Sequence, residues 1–561
     1  MSRPTFNLVD RPWIPVVYTD GTRDTLSIRG TLHEAGRIRW IDTGRSEEDI
    51  AVLRLLAAII IRAHAATPRP LPVWLDQWDF QRLDTAPLDR YLDRWADRFD
   101  LYHPHHPFLQ SPGLACTIRP VDDMLQQTGL FQAERAGRLE PGRAAIRLLT
   151  INLLDAGGIK PADPHDVRAT GGRLLPPPGL RSVGTLGRAL AAWPQYPTLA
   201  RTLLANTPMI GPDGESPTTN PDDRPAWERD PLTVVTLGGT TSGIVDQLTL
   251  QSRRMLLIPD DKGRVTGFML TYGRVTTVDD LEVKEPHWAW DMEGVKPLTV
   301  ADQYMGMPLW WFLPGMTYGK RRPLALEWAR LLAGNHMPMI LHLMAAQYRQ
   351  AAKLIDVRHL HAALRTGTSA DPDAGRFVMR AAWAVRAYAR FAANVIPGFT
   401  PERLPRVLEE TALDLSDTMI RLLQDPPDDP YDMIRQVLRD RGDELCREHP
   451  LDSAHPYFLF LAALKRIGED DPDPTVSTKP RPRRTAGTTV PSGVRGRKPK
   501  PVTRHGGGLA DETFPSVRDA VAWMRGHGRP TATPASIHNA IAKQSTAYGY
   551  RWSRATEPLQ Q

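Results

Sequence analysis

The sequence predicts an α+β protein in four parts: a mixed N-terminal domain over residues 1–335, a four-helix bundle over 336–470, a disordered basic linker over 471–512, and a small helix-turn-helix-like module over 513–561. Three observations predict it. Residues 375–467 read as consecutive amphipathic helices. The N-terminal third mixes two-residue alternation with helical stripes. Past residue 472 both periodicities stop and cations accumulate.

The helical run is the clearest element. Phe377, Ala381, Val385, Tyr388 and Phe391 recur at three and four residues, one face of a helix. Leu404 to Leu423 gives a second helix, Tyr431 to Leu445 a third and Tyr457 to Leu464 a fourth. The breaks fall at Pro397-Gly398, at the proline- and aspartate-rich run from Asp425 to Pro430, and at Pro450. Leu324 to Leu332 and Met337 to Ile355 carry the same apolar character, so helix is predicted for both.

At the N-terminus, a strand from Ile14 to Tyr18 turns at Asp20-Gly21 and returns through Thr25 to Ile28. Ser46 with Glu47, Glu48 and Asp49 makes a capped, acid-rich start to an apolar helix through Ile61. Helices are predicted over Asp84–Phe99, Ala144–Leu154 and Val183–Leu203. Met255–Ile258 and Val265–Tyr272 form a hairpin around Asp260-Asp261-Lys262-Gly263. Between these elements lies a long loop with two glycine pairs, Gly157-Gly158 and Gly171-Gly172. Glycine pairs let backbone approach a ligand closely. An ordinary surface loop is the plainer reading.

Composition bounds the function. Apolar residues are 41% and charged residues 24%, as in a soluble globular protein. No stretch reaches the eighteen apolar residues that a membrane span needs, and no export signal follows Met1, so a cytoplasmic location is expected. Two cysteines, Cys116 and Cys446, without a CxxC pair exclude a cysteine zinc site and a disulfide framework. The charge is uneven. Residues 476–561 hold fifteen Lys or Arg against four Asp or Glu, a net +11, which leaves −5 for residues 1–475 of a chain at +6. The first 475 residues therefore offer nucleic acid only a local surface.

Catalytic frames are absent. His103, His105 and His106 crowd one proline-rich loop with no acid or cysteine close enough to complete a tetrahedral set, which favours a packed loop over a metal site. There is no HExxH, no GxSxG and no GxxxxGK[ST], so neither an enzyme nor a cofactor is expected.

The words Phe6 to Val17, His106-Pro107-Phe108-Leu109-Gln110 and the glycine loop after Ala144–Leu154 resemble the CasA family, the large subunit of the type I-E CRISPR Cascade complex. The resemblance covers roughly residues 5–470. It implies a non-catalytic subunit that recognises the protospacer-adjacent motif (PAM) in double-stranded DNA, helps open the duplex for the guide RNA, steadies the opened state and recruits a helicase-nuclease in trans. Other Cascade subunits and guide RNA are the implied partners, with no membrane. Carried over, the glycine loop falls at Gly157, Gly158 and Lys160, or at Gly171 and Gly172; the wedge glutamine is Gln347 or Gln350; the basic finger is Arg274. Arg168, Arg173 and Arg349 join Lys160 as phosphate contacts. A structural scaffold or a non-specific DNA tether is the alternative.

Residues Phe514 to Trp552, with Ser536-Ile537-His538-Asn539 and Tyr548-Gly549-Tyr550-Arg551-Trp552, resemble NUMOD1-type DNA-binding modules. That resemblance implies a second helix entering the major groove, with Ser536, His538, Asn539 and Lys543 facing outward and Arg551 among the DNA contacts.

Overall fold

The computed structural model describes residues 4–65, 69–126, 137–175, 182–209, 220, 222–238, 241–276, 285–291, 294, 297–298, 307–334, 337–349, 353–365, 372–424, 429–451, 453–467, 502–505, 512–527, 533–542, 546–548 and 550–554. The chain divides into two compact units, 1–472 and 473–561. Among the described residues no helix is long and apolar enough to cross a membrane.

The first unit opens with a three-stranded antiparallel sheet: β1 (Ile14–Tyr18) lies between β2 (Arg23–Leu26) and β3 (Ile38–Ile41). Asp20 Oδ1 accepts the Thr22 N–H, and Gly21 takes φ +88°, which makes the predicted turn. Helix α1 (Ser46–Ala65) starts where its acids predict. Asp49 accepts the Thr43 N–H at 2.9 Å and ties the preceding turn to the helix. Ser46 Oγ lies 3.3 Å from His361 Nε2.

Helix α1 is buried almost throughout, which explains its apolar run. The one charge within that run, Arg54, is held inside the core. It donates to both Glu285 oxygens at 2.5 and 3.1 Å and to the Gln247 carbonyl. Burial pushes the Glu285 carboxyl up, yet Arg54 and His287 hold it at about 2, so it stays ionised. Helix α2 (Thr85–Trp95) and a short 3-10 turn account for the predicted Asp84–Phe99 helix. Helix α3 (Pro141–Leu154) follows the predicted Ala144–Leu154 stripe.

The glycine loop holds two short paired strands, β4 (Lys160–Pro161) and β5 (Arg173–Leu174). Two predicted helices contain strand. Residues 191–195 form β6 (Ala191–Gln195), followed by a separate short helix, Leu199–Ala205, in place of one helix over Val183–Leu203. Strands β7 (Arg253–Pro259) and β8 (Val265–Tyr272) are the predicted hairpin. The larger correction is Met337–Ile355, predicted as helix. It is the long antiparallel hairpin of β9 (Pro338–Arg349) and β10 (Lys353–Arg365), with β6 paired to β9 on the other side.

The physical reason is burial on both faces. Leu341, Leu343 and Ala345 point into one hydrophobic core, and Met344, Ala346 and Tyr348 into another. A strand apolar on both faces loses the polar alternation that identifies it.

Among the described residues between 372 and 465 five helices follow one another: α4 (Pro372–Val395), α5 (Leu404–Asp414), α6 (Ser416–Gln424), α7 (Pro430–Glu448) and α8 (His455–Lys465). The predicted second helix is broken at Leu415 into α5 and α6. Helix α4 packs against α5, α7 and α8, with Phe391 and Phe460 stacked at 4.8 Å.

The second unit corrects both the composition reading and the motif reading. Residues 502–505, assigned by composition to the disordered basic run, are strand β11 (Val502–His505). The four-stranded antiparallel sheet runs β12 (Glu512–Phe514), β11, β14 (Tyr550–Arg554), β13 (Thr546–Ala547). Helices α9 (Val517–Gly526) and α10 (Pro534–Ala542) share its core, so the unit is helices on a sheet rather than a helix-turn-helix alone. Ser516 caps α9 through the Asp519 N–H, as predicted.

Arg54→Ala is expected to lower stability by about 3–5 kcal/mol, because it leaves Glu285 charged, buried and unpaired. A urea unfolding midpoint indistinguishable from wild type would contradict this.

Candidate nucleic-acid interface

The glycine loop begins where α3 stops. Asp155, the first residue past the helix, is fully buried and ion-paired with Arg253 and with Lys160 Nζ at 2.8 Å. Burial pushes its carboxyl up, but the two cations hold it below the ordinary range. Burial draws the Lys160 ammonium down to about 8 despite Asp155. Arg253 also donates from Nη2 to the carbonyls of Asp155, Ala156 and Ser182 at 3.0, 3.0 and 2.8 Å.

The next residue of β7, Arg254, points to the other face of the strand. It pairs with Asp166 at 2.5 Å and donates to the carbonyls of Thr233 and Tyr272. Two consecutive buried arginines thus fasten the start and the middle of one loop. Strand β8 adds two more ties: Tyr272 Oη donates to the Gly158 carbonyl at 2.6 Å, and Thr271 Oγ1 to that of Pro161 at 2.5 Å.

This frame separates the two glycine pairs. Gly157 is buried at the tied base, and Gly158 turns there with φ +87°. Gly171 and Gly172 form the exposed turn, with φ +57° and +72° and open space where a Cβ would stand. Strain, not crowding, is what a side chain would meet there. Around the frame Arg168 and Arg173 are exposed, and so are Ile159, Val167 and Leu175, with Val167 98% accessible. Lys160 is not: it is 4% accessible and serves the loop's interior.

The hairpin meets the base of this loop through Tyr348. Tyr348 Oη donates to the Leu154 carbonyl at 2.7 Å, the last residue of α3. Its ring occupies space that Gly187 leaves free, since a Cβ on Gly187 would lie 2.1 Å from the Tyr348 oxygen. Gln347 precedes Tyr348 and pairs with Asp356 across the hairpin; Arg349 follows and pairs with Lys353. Arg349 and Lys353 are both exposed, and Ile355 is skipped by the register. Gln350 lies outside the described residues.

The other predicted residues stand apart. Arg274 pairs with Asp246 at 2.8 Å and is half-buried. In the second unit His538, Asn539 and Arg551 are exposed. Ser536 is half-buried, with its hydroxyl 3.0 Å from that of Thr533 at the start of α10. Lys543 lies outside the described residues.

Among the described residues no group of three His, Cys, Asp or Glu could hold a metal ion. His103 Nδ1 accepts the N–H of His106 at 2.9 Å, a local turn. Sequence reading missed Lys353, Arg253 and Arg254. The last two carried a signal: adjacent charges at the head of an apolar strand need buried partners.

A family model described as CRISPR-associated protein Cse1 matches residues 7–426. A curated relative, CRISPR-associated protein CasA/Cse1 of Thermus thermophilus, is 31% identical over 242 residues, 42% of this chain and 44% of the relative, so the match spans less than half of that protein. The crystal structure of Thermobifida fusca Cse1 is similar with a TM-score of 0.65 at 24% identity, covering 83% of this chain and 98% of that one. Cse1 from Acidimicrobium ferrooxidans gives 0.63 at 22%, covering 83% and 98%. A chain of a CRISPR RNA-guided surveillance complex gives 0.59 at 17%, covering 83% and 99%. At these identities the structures share the fold.

Tyr348→Phe is expected to cost about 0.5–1.5 kcal/mol, the worth of one hydrogen bond, and to leave the Leu154 carbonyl unsatisfied. Amide exchange over residues 154–158 should quicken while that of α8 stays unchanged. Equal exchange in both segments would contradict the junction.

Proposed function

This chain belongs to the CRISPR-associated Cse1 family, and on that premise we propose that it is the non-catalytic large subunit of an RNA-guided surveillance complex that reads the PAM of double-stranded DNA. The supporting observation is the junction of Tyr348 with Leu154, which sets the end of the β9–β10 hairpin against the base of the glycine loop. In this reading the exposed turn Gly171-Gly172 brings backbone to the minor groove, where few donors and acceptors are displayed and recognition is tolerant. Arg168, Arg173, Arg349 and Lys353 contact phosphates and add affinity with little sequence content. Gln347 or Gln350 enters the duplex beside the target, and pairing with the guide RNA then supplies the sequence specificity.

Lys160 takes the role of a positioning residue, and Arg274, through Asp246, another. The helical region steadies the opened state, and a helicase-nuclease is recruited in trans; both belong to the proposal. So do the remaining Cascade subunits and guide RNA as partners, and a cytoplasmic location. The second unit adds salt-sensitive affinity for DNA through its basic approach segment and its folded part. A scaffold or tether without PAM reading is the second interpretation, favoured by the ion pairs that occupy Lys160 and Arg274.

The test is a binding titration of the complex reconstituted with guide RNA. Duplexes would differ only in the three bases beside a matched target, and wild type would be compared with Gln347→Ala and Gln350→Ala. The reading expects flank discrimination in the wild type that falls about tenfold in one variant, consistent with about 1–3 kcal/mol for a base contact. Equal binding to every flank by all three proteins would leave the scaffold.

A separate expectation concerns the tail. Removing residues 476–561 should weaken binding to unmatched duplex and flatten its salt dependence, because the segment carries a net +11. An unchanged slope would contradict the DNA role of the second unit.

A further inference from the structure

The four-stranded sheet of the second unit has two unlike faces. Cross-strand partners share a face, so the register sorts them. Val502, Arg504, Phe514 and Trp552 share the face that holds the hydrophobic core with α9 and α10. The opposite face presents Thr503, His505, Thr513, Thr546, Arg551 and Ser553. Within this unit no described element covers it. Two pairs of side chains are tied across strands: Thr503 and Thr513 hydroxyls at 2.9 Å, and His505 Nε2 with Ser553 Oγ at 2.7 Å. Arg551, on a central strand, is exposed.

We propose that this open sheet face, rather than helix α10, is the surface of the second unit that binds duplex DNA, lying in the major groove with Arg551 toward the base edges. The inference rests on the reading of the second unit as a DNA-binding attachment and relocates its contact surface.

Charge separates the two sides. The acidic side chains described in this unit are Glu512 and Asp519, and both belong to the helix-bearing side. Glu512 is the cross-strand partner of Arg504 and lies 3.4 Å from it; Asp519 sits in the first turn of α9, on the Ser516 hydroxyl. Among the described residues the open face carries no acid. A segment with eight Lys or Arg and no acid, residues 479–500, runs directly into β11, the sheet's other central strand.

Shape agrees with charge. Apart from Arg551 and His505 the face is built from Thr and Ser, short side chains that let a sheet approach closely and that donate to phosphates. Two adjacent central strands have the width that a B-form major groove admits. The deep, narrow major groove of A-form RNA does not admit them. On α10 the Ser536 hydroxyl is likewise engaged, by Thr533, and His538 and Asn539 are the exposed polar pair, with no described cation beside them.

The experiment is fluorescence anisotropy with the full-length chain and a short labelled duplex that lacks any matched target. The Arg551→Glu/Thr513→Glu variant reverses the open face, and His538→Glu/Asn539→Glu reverses α10. Near-UV circular dichroism matched to wild type qualifies each variant, and Arg551→Gln is the milder substitute if the charge reversal unfolds the unit. The proposal expects the sheet variant to bind at least about tenfold more weakly with a shallower salt dependence, and the helix variant to stay within about twofold of wild type. Weakening by the helix variant alone, or by neither, overturns it. Equally tight binding of duplex RNA through the same face overturns the assignment to DNA. Deletion of 476–561 separates the two layers. If deletion changes nothing, the DNA role of the whole unit fails; if deletion weakens binding and the sheet variants do not, only the sheet assignment fails.

Discussion

The structure of the first unit depends on one sheet that is buried twice. Strands β10, β9 and β6 lie between two hydrophobic cores, and consecutive residues of β9 feed them alternately. His342 shows how tightly the sheet is held. Its ring lies between Trp193 and Trp40, at 5.1 and 5.3 Å and nearly parallel to both, and its Nε2 lies 2.6 Å from Gln195 Oε1. Burial pushes this imidazole well below its usual range, so it sits there neutral. A hairpin fixed on both faces cannot slide by one residue without inverting every side chain between two cores. Tyr348, near the last described residue of β9, is thereby held against the Leu154 carbonyl at the base of the glycine loop.

The loop's rigidity has a different origin. Besides a small apolar cluster of Leu174 with Tyr272 and Val275, it is held by charge: Arg253 with Asp155, and Arg254 with Asp166. Buried ion pairs are a poor source of net stability, because desolvation offsets most of their attraction. What they supply here is position, since each arginine gathers several backbone carbonyls of an otherwise irregular segment. The glycines then serve separate ends. Gly158 turns at the fixed base, while Gly171 and Gly172 turn in the open beside Arg173. In a first unit whose sequence is net negative, such a local surface is how nucleic acid could be met.

Among the elements legible in the sequence, α4 and α7 owe it to a one-sided environment, whereas α3, buried on every side, was marked by its length and its flanks. The stripes of α3, α4 and α7 and the β7–β8 hairpin were read close to their observed bounds. The β9–β10 hairpin was not, because apolar surface on both faces erases alternation and leaves a run that passes for a helix. Strand β11 was lost among cations: four residues are too few to show a period. The glycine loop could be found by its glycines, but its exposure could not. Lys160 reads as a surface cation until Asp155 is seen beside it. Some words that carry the family resemblance prove to be structural joints. Gln110 bridges the Leu101 carbonyl and the Leu257 N–H at 2.8 Å each, and Phe6 donates its N–H to Asp100.

In the proposed PAM-reading role, the β9–β10 hairpin and the glycine loop act on DNA as one body through Tyr348. A double-mutant cycle tests it most directly: flank discrimination by the reconstituted complex, measured for Tyr348→Phe, Gln347→Ala and the pair. If the two act together, Tyr348→Phe weakens discrimination although its hydroxyl is spent on Leu154, and the double variant loses much less than the two single losses combined. Independent, fully additive losses, or no loss from Tyr348→Phe, would contradict it.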